Sequence, residues 1–335
     1  MADTFKAYVV QEQGEGNFVG SVAERSMDDL PSGDVVINVD YSSVNYKDAL
    51  SATGNPGVTR NYPHTPGIDA VGTVESSTDP HYEPGDEVIV MGYDLGMNTS
   101  GGFSEKIRVP GDWVVRCPAG LSAEEAMVFG TAGFTAAMCV DTLLQVGIAP
   151  QQGPVLVTGA TGGVGIVAVW LLKNLGFDVI ASTGKTDQEA LLKQVGAVEA
   201  IGREVLLENA KRPMHKPQWA AAVDTVGGDV LGNIIKSIQY GGSVACCGMV
   251  AGHEVQTSVF PFILRGVNLL GVDSVELPLD VKQDIWNMIG KDWKFPNFSD
   301  FKQAVSKNIA LTDLPAAIEQ VISGQHCGRY VVKTR

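Results

Sequence analysis

The stretch PVLVTGATGGVGIVAVWLLKNLG, residues 154–176, decides the fold of this chain. An apolar run of strand length leads into a glycine-rich turn, TGATGGVG (158–165), and then into an apolar helical segment that ends at Gly176. Glycines in such a turn let the backbone approach a pyrophosphate, whose charge meets the amides and positive dipole end of the helix. The glycine spacing departs from G-x-G-x-x-G by one residue, but the strand–turn–helix context is complete. We therefore predict a dinucleotide-binding unit.

Strands and helices alternate after this turn. The segments DVIAST (178–183), AAAVDTVGG (220–228), GGSVACCGMVAG (241–252) and VNLLGVDSV (267–275) are typical of strands, and DQEALLKQVG (187–196) is typical of a helix. This alternation predicts an α/β fold with a doubly wound parallel sheet of the Rossmann type. Residues 1–123 instead predict short strands joined by turns, so we expect a second, β-rich domain. The C-terminal segment predicts a helix, a turn and a strand that returns to that domain.

Composition and charge exclude several classes of function. The 335 residues carry a net charge of −14, which argues against binding to nucleic acid or to an anionic membrane surface. The five cysteines contain no C-x-x-C pair, which is typical of reduced thiols rather than of a disulfide framework. We find neither a signal-peptide pattern nor an apolar run of about 18 residues that would span a membrane. We therefore expect a cytoplasmic protein with no membrane partner.

The end of the second strand of the alternating half bears on the choice of cofactor. An NAD site is expected to place a carboxylate there to bind the ribose 2′-hydroxyl. This chain instead has the hydroxyls of Ser182 and Thr183, then Gly184 and Lys185, with Arg203 at the end of the following strand. A 2′-phosphate suits this set, which predicts NADPH. The alternative is that the two cations are solvated surface charges.

The chain resembles the medium-chain dehydrogenase/reductase superfamily over its whole length. The motifs are SSVNYKDALSATG (42–54), PHTPGIDAVG (63–72), PGDEVIV (84–90), GTAGFTAA (130–137), TGATGGVG and GRYVVK (328–333). Within the superfamily it is similar to the acryloyl-CoA reductase group, whose members are also named quinone oxidoreductases. The resemblance implies a GroES-like catalytic domain formed by residues 1–123 and 270–335, a Rossmann NADPH-binding domain formed by residues 124–269, and a homodimer.

The resemblance also implies that the chain works without zinc. Zinc members have a Cys within the segment occupied here by VNYKD (44–48), and a Gly-His-Glu where this chain has Gly-Ile-Asp (67–69). A catalytic zinc needs about three protein ligands, but isoleucine cannot ligate, and Asn45 or Tyr46 stands at the Cys position. We therefore predict no metal and expect Asp69 to be a structural carboxylate that fixes its turn.

The candidate site residues follow from the strand ends and from the resemblance. Tyr46 is a candidate catalytic residue or neighbour of the nicotinamide, with a packing aromatic as the alternative, and Asn45 and Asp48 either orient substrate or close a turn. Arg265 meets either a coenzyme A phosphate or an internal carboxylate. The predicted cofactor-binding residues are Tyr46, Thr161, Gly162, Gly163, Val164, Ser182, Thr183, Gly184, Lys185, Arg203, Met249, Ile263, Ser274 and, through its backbone, Gly324.

Without zinc to polarise an alkoxide, alcohol oxidation is disfavoured. A hydride can instead add to the β-carbon of an α,β-unsaturated thioester, whose carbonyl spreads the charge as an enolate. We therefore predict NADPH-dependent reduction of a short α,β-unsaturated acyl-CoA, with acryloyl-CoA to propionyl-CoA as the best match. The alternatives are an NADPH:quinone oxidoreductase and a non-enzymatic nucleotide-binding protein. The proton donor stays open, and bound water is one candidate.

Overall fold

A computed structural model describes residues 4–335 of the chain and divides them into two compact units. Unit 1 comprises the described residues up to Thr131, Ser274–Lys294 and Val305–Arg335, and unit 2 comprises Ala132–Asp273 and Phe295–Ala304. The units divide after Thr131 and Asp273, whereas the predicted domains divide after residues 123 and 269. The segment 295–304 also belongs to unit 2, because its aromatic side chains pack on Trp170 of that unit, with Phe301 stacked on it at 4.6 Å between ring centroids.

The strands are β1 (Thr4–Glu12), β2 (Phe18–Ser26), β3 (Val35–Ser43), β4 (Asp69–Ser77), β5 (Glu87–Met91), β6 (Lys106–Val109), β7 (Val114–Arg116), β8 (Val155–Val157), β9 (Val179–Thr183), β10 (Glu199–Gly202), β11 (Trp219–Asp224), β12 (Ile238–Cys246), β13 (Asn268–Gly271), β14 (Ser306–Ala310) and β15 (Arg329–Lys333). The helices are α1 (Tyr46–Ala52), α2 (Ala123–Gln145), α3 (Gly163–Asn174), α4 (Glu189–Val195), α5 (Gly228–Ile235), α6 (Phe260–Arg265), α7 (Leu279–Lys291), α8 (Phe298–Val305) and α9 (Leu314–Ile322). Short 3-10 turns lie at Met27–Asp29, Gly111–Trp113, Pro150–Gln152, Thr186–Gln188, Arg203–Leu207 and Leu311–Asp313.

Unit 1 is built on a mainly antiparallel seven-stranded sheet. Its strands run in the order β14-β15-β3-β4-β5-β7, with β6 paired to β3, and β1 and β2 form a separate two-stranded ribbon. The last strand returns to this unit as predicted, because β15 pairs antiparallel with β3 and places Val331 opposite Ser43. This pairing brings the C-terminal Arg329 close to the end of β3.

Unit 2 is a parallel six-stranded sheet in the order β10-β9-β8-β11-β12-β13. Numbered along the chain from β8, this order is 3-2-1-4-5-6, which is the Rossmann order. The short strand β8 is fully buried, as expected of a central parallel strand covered by helices on both faces. The predicted fold class is therefore confirmed.

Helix α2 begins with the capping box that its sequence indicates. Ser122 N donates to Glu125 Oε2 at 2.9 Å, and Glu125 N donates to Ser122 Oγ at 3.3 Å. Gly130 (φ 51°, ψ −157°) interrupts the helix. Among residues 4–335, α2 is the one helix long and apolar enough to cross a membrane, although the sequence analysis expects no such stretch. Most of α2 is buried within the protein, as is typical of a core helix.

Candidate functional site

The glycine-rich turn closes tightly against the start of α3. Gly159 has a φ of 58°, in the left-handed region that favours glycine. A β-carbon on Gly165 would lie 2.3 Å from the Gly159 carbonyl oxygen and 2.7 Å from the α-carbon of Ala160, so this closure requires glycine. Helix α3 follows directly, with Gly162 at its N-cap. Its first amides and its dipole suit a pyrophosphate.

A buried carboxylate holds the strand ends at this loop. Asp224, the last residue of β11, accepts from Thr158 Oγ1 at 2.7 Å and from Gly227 N at 2.8 Å. Thr225 N donates in turn to Thr158 Oγ1 at 3.0 Å. Burial raises the pKa of Asp224, and these hydrogen bonds oppose that rise. Sequence reasoning missed Asp224, although a carboxylate at the end of an apolar strand was a usable signal, since a buried charge needs partners.

The end of β9 brings several predicted cofactor residues together. Thr161 Oγ1 and Thr183 Oγ1 are 2.9 Å apart, and the backbone N of Lys185 donates to the same Thr183 oxygen at 3.0 Å. The register pairs Thr183 with Gly202, so the next residue, Arg203, lies beside Gly184. A β-carbon on Gly184 would be 3.2 Å from Arg203 Nε.

Other predicted cofactor residues are dispersed. Ser182 is buried and supports the loop through its carbonyl oxygen, which accepts from Ala160 N at 3.0 Å. Met249 and Ile263 are 71% and 68% exposed on unit 2. Tyr46, Ser274 and Gly324 belong to unit 1. Their contacts with a cofactor stay predictions.

The guanidinium of Arg265 donates to backbone carbonyl oxygens inside the protein. It donates to the backbone carbonyls of Lys236 at 3.0 Å and Ile238 at 3.1 Å, and also to that of His215. These bonds tie α6 to the strand and loop beside it. The predicted contact with coenzyme A stays a prediction, and none of the three is the internal carboxylate of the alternative.

In unit 1, five hydrogen bonds converge on the Asp69 carboxylate. The donors are Ser43 N at 2.8 Å, Ser43 Oγ at 2.7 Å, Asn45 Nδ2 at 2.9 Å, Thr131 N at 2.9 Å and Ser42 Oγ at 3.4 Å. The carboxylate is completely buried. Asp69 is therefore a structural carboxylate, as expected. Its hydrogen bonds reach beyond its own turn: they connect it to the end of β3, to Asn45 before α1 and to Thr131, which follows the interruption of α2 at Gly130.

Arg329 places a buried positive charge beside Ser43 and Asp69. This residue was not among those predicted from the sequence. Its Nη2 donates to Ser43 Oγ at 2.6 Å and its Nε to the Val128 carbonyl oxygen at 3.1 Å. Burial lowers the pKa of the guanidinium, and the carboxylates of Asp69 and Asp48 raise it. The one signal in the sequence was an arginine at the start of the apolar strand within GRYVVK.

Asp48 and Asn45 are turned into the protein. Asp48 Oδ1 accepts from the amides of Gly67 at 3.1 Å and Ile68 at 2.8 Å, and its Oδ2 accepts from Asn45 N at 2.8 Å. Complete burial, with the nearby charge of Asp69, raises the pKa of Asp48 to about 7. Because a buried carboxylate with these partners cannot reach a substrate, we propose positioning roles for Asp48 and Asn45 in place of the predicted catalytic ones.

Tyr46 differs from its two neighbours. It is the first residue of α1 and is 42% exposed, so part of the residue is accessible to solvent. Of the three predicted catalytic residues, it is the one whose side chain can meet a ligand, and its catalytic role stays a proposal.

The residues around Asp69 do not fit a zinc ion. Ile68 replaces a ligand, both oxygens of Asp69 already accept hydrogen bonds, and His64 Nε2 lies 3.0 Å from the Gly96 carbonyl oxygen. Burial lowers the pKa of His64. Nowhere in residues 4–335 do three or more His, Cys, Asp or Glu side chains form a group that could hold a metal. The described residues around Asp69 are therefore not those of a zinc site.

Family models match both parts of the chain. Residues 31–119 match the alcohol dehydrogenase GroES-like domain, and residues 163–290 match the zinc-binding dehydrogenase family. The second description names a metal whose ligands the present chain does not assemble in its described part.

Curated relatives match along nearly the full length. The chain is 46% identical to the putative quinone oxidoreductase YhfP of Bacillus subtilis, over 99% of this chain and 100% of that protein. It is 43% identical to the acrylyl-CoA reductase AcuI of Ruegeria pomeroyi, over 98% of each chain.

Solved structures agree with this likeness. The yhdH oxidoreductase of Salmonella enterica in complex with NADP has a TM-score of 0.94 at 44% identity, covering 98% of this chain and 100% of that one. Bacillus subtilis yhfP with NAD bound also has a TM-score of 0.94, at 45% identity, covering 99% and 100%.

Proposed function

The chain belongs to the medium-chain dehydrogenase/reductase superfamily, in the group of acrylyl-CoA reductases and quinone oxidoreductases, and on that premise we propose that it uses NADPH to reduce the C=C bond of a short α,β-unsaturated acyl-CoA. The best-matching reaction is acryloyl-CoA to propionyl-CoA. That the protein is an oxidoreductase follows from its close relatives.

The assignment of NADPH as the cofactor depends on one observation. Arg203 lies beside Gly184 at the end of β9, followed by Lys185, where an NAD site is expected to have a carboxylate. Two cations at this position complement a 2′-phosphate, which arginine can bind through two N–H groups. The tight loop between Gly159 and Gly165 suits the pyrophosphate of the same cofactor. The crystal structure of the Salmonella relative with NADP supports this assignment.

The acyl-CoA assignment draws on the relatives and on the chemistry of the acceptor. When bound, NADPH supplies a hydride. A thioester conjugated to a C=C bond accepts it at the β-carbon, the electrons move into an enolate, and a proton then adds at the α-carbon. The protein must orient the acceptor and stabilise the enolate oxygen. We propose that the hydroxyl of the partly exposed Tyr46 contributes to this site.

Quinone reduction is the second candidate, because the 46% identical Bacillus relative carries that name. A quinone also accepts a hydride without a metal, so the cofactor site alone does not separate the two reactions. An assay of NADPH oxidation that offers both a thioester and a quinone tests this reaction as well.

We also propose a homodimer that forms through the outermost strand of the parallel sheet. Strand β13 ends the sheet, and Leu269 on it is 43% exposed. The neighbouring helix α6 presents Ile263 and Leu264, which are 68% and 59% exposed. An uncovered edge strand with apolar neighbours favours pairing with a second copy.

The deciding experiment measures NADPH oxidation with acryloyl-CoA, crotonyl-CoA and a soluble quinone, each over a range of concentrations. We expect kcat/KM to be highest for acryloyl-CoA, with propionyl-CoA as the product by mass spectrometry. Turnover of quinone alone would make the thioester assignment wrong. Turnover of none, with NADPH still bound, would favour a nucleotide-binding protein. The Tyr46→Phe variant tests the hydroxyl, and Tyr240→Phe, an exposed tyrosine of unit 2, is its control.

A further inference from the structure

Three ionisable side chains are buried together around the segment Ser43–Asp48. Asp48 and Asp69 are inaccessible to solvent, and Arg329 is 2% exposed. Removing one partner from such a buried set leaves an uncompensated charge, which is far more costly than breaking an ion pair at the surface. The positive charge of Arg329 is therefore an integral part of this segment.

The hydrogen bonds through Ser43 have a fixed direction. Arg329 has no acceptor, so its Nη2 must donate to Ser43 Oγ at 2.6 Å. An ionised Asp69 has no donor, so the same hydroxyl donates to Asp69 Oδ2 at 2.7 Å. Arg329 thus sets the hydroxyl rotor of Ser43, and the two charged groups act on each other through that hydroxyl.

The same two residues determine how the Asn45 amide points. Its Nδ2 donates to Asp69 Oδ2 at 2.9 Å, while its Oδ1 lies 3.4 Å from Arg329 Nη1. Reversing the amide would turn its oxygen toward the carboxylate and its N–H groups toward the guanidinium. Asn45 directly precedes Tyr46, the first residue of α1, so a fixed Asn45 fixes the start of that helix.

We propose that Arg329 is a positioning residue for the segment Ser43–Asp48, whose guanidinium orients Ser43 and Asn45 against Asp69 and thereby sets where Tyr46 stands. The inference rests on the proposed function only in taking Tyr46 as part of the reaction site. Because Arg329 is itself buried, the proposal gives it no contact with the substrate or the reacting atoms.

The first experiment compares kcat and KM in Arg329→Met and Arg329→Lys, using whichever acceptor the unaltered enzyme reduces fastest. We expect kcat to fall by about 100-fold in Arg329→Met, the loss typical of a reacting group displaced by about 1 Å. The Kd for NADPH should change less than about twofold, because the phosphate loop lies in unit 2, and lysine should restore part of kcat. Loss of NADPH binding, or an unchanged kcat, would overturn the inference.

A double-substitution cycle tests whether Arg329 acts with Asp69. We expect the combined loss in Arg329→Met with Asp69→Asn to be smaller than the product of the separate losses, because each residue works through the other. Multiplicative losses would overturn the coupling. The matched control is Arg335→Met with Asp40→Asn, an arginine–aspartate pair at the surface, which should leave kcat unchanged.

A readout independent of turnover separates this inference from the proposed function. With 3-fluorotyrosine at position 46, we expect the fluorine resonance to shift or broaden in Arg329→Lys and in Ser43→Ala, but not in Arg335→Met. These milder variants also serve if Arg329→Met does not fold. An unchanged resonance in both would overturn the inference, whichever acceptor the enzyme reduces.

Discussion

Arg203 lies against the α-carbon of Gly184. A methyl group on that glycine would stand 3.2 Å from Nε of the arginine and 3.3 Å from its Cδ and Cζ. The guanidinium thus lies at the end of β9, where we propose that it binds the 2′-phosphate of the adenosine ribose.

Arg203→Ala is expected to weaken NADPH binding by about tenfold or more while leaving NADH binding nearly unchanged, because a charge-assisted hydrogen bond contributes roughly 1.5–3 kcal/mol. Lys185→Ala should act in the same direction. Fluorescence titration with NADPH and with NADH measures the ratio of their two dissociation constants. Arg212→Ala, which alters another exposed arginine of unit 2, is the control. Equal affinities for NADPH and NADH in the unaltered protein would contradict the cofactor assignment.

Gly165→Ala is expected to abolish cofactor binding or to destabilise unit 2. The added methyl would come within 2.3 Å of a backbone oxygen, which only a shift of the loop can relieve. Gly271→Ala is the matched control, because a β-carbon there meets no atom within 4 Å. Calorimetry and NADPH titration on both variants check the prediction, and similar behaviour of the two would show that the loop tolerates the methyl.

Asp48 should make the protein less stable as the pH rises toward neutrality. Burial raises its folded-state pKa from 3.8 to about 7. The unfolded chain therefore releases this proton near pH 4, while the folded protein holds it up to about pH 7. The contribution of this group to the free energy of unfolding is intact below pH 4 and falls between those values, by up to about 4 kcal/mol.

Urea unfolding of the unaltered protein and of Asp48→Asn between pH 5 and pH 8 measures this contribution. The decline with pH should be shallower in Asp48→Asn and unchanged in Asp300→Asn, an exposed carboxylate on α8. If the free energy of unfolding fell equally steeply with pH in all three proteins, the raised pKa of Asp48 would be contradicted.

Leu269→Glu should dissociate the proposed dimer, because it buries a charge between two copies of β13. Sedimentation velocity checks the mass. Leu207→Glu alters another leucine of unit 2 with nearly the same exposure, 42%, away from that strand, and should leave the mass unchanged. A monomeric unaltered protein would refute the dimer itself.

Metal analysis of the purified enzyme should find less than stoichiometric zinc, and a chelator should leave turnover unchanged. The reason is the ligand set, in which Ile68 cannot bind zinc and Asp69 is fully occupied by hydrogen bonds. Zinc present at one ion per chain, and lost together with activity, would contradict this prediction.

Local patterns made much of the fold predictable. The glycine-rich turn and the alternation of strands and helices depend on neighbours in sequence, and so does the Ser122–Glu125 capping box; all three agree with the structure. Thr186 and Glu189 also have the spacing of a capping box in the sequence, but no box forms there, because a 3-10 turn comes first and α4 begins at Glu189 without a side-chain cap.

The carboxylate cluster could not be predicted in the same way. Ser43 is 26 positions from Asp69 and 286 from Arg329, so the three come together only because β3 pairs with β4 on one side and with the last strand on the other. The sequence indicated a missing ligand set, but not that an arginine supplies positive charge there. The exposed face of Tyr46 and the inward turn of Asp48 likewise depend on tertiary packing rather than on their positions in one short helix.

The five hydrogen bonds to Asp69 have a consequence for the history of this enzyme. A single substitution to histidine at position 68 would supply an imidazole, yet it would free neither oxygen of Asp69 and would leave Arg329 in place to repel a cation. A functioning metal centre would demand several simultaneous changes, each harmful alone. A zinc centre is therefore hard to acquire at this position by stepwise mutation, and descendants of this chain are expected to diversify by altering acceptors rather than by gaining a metal.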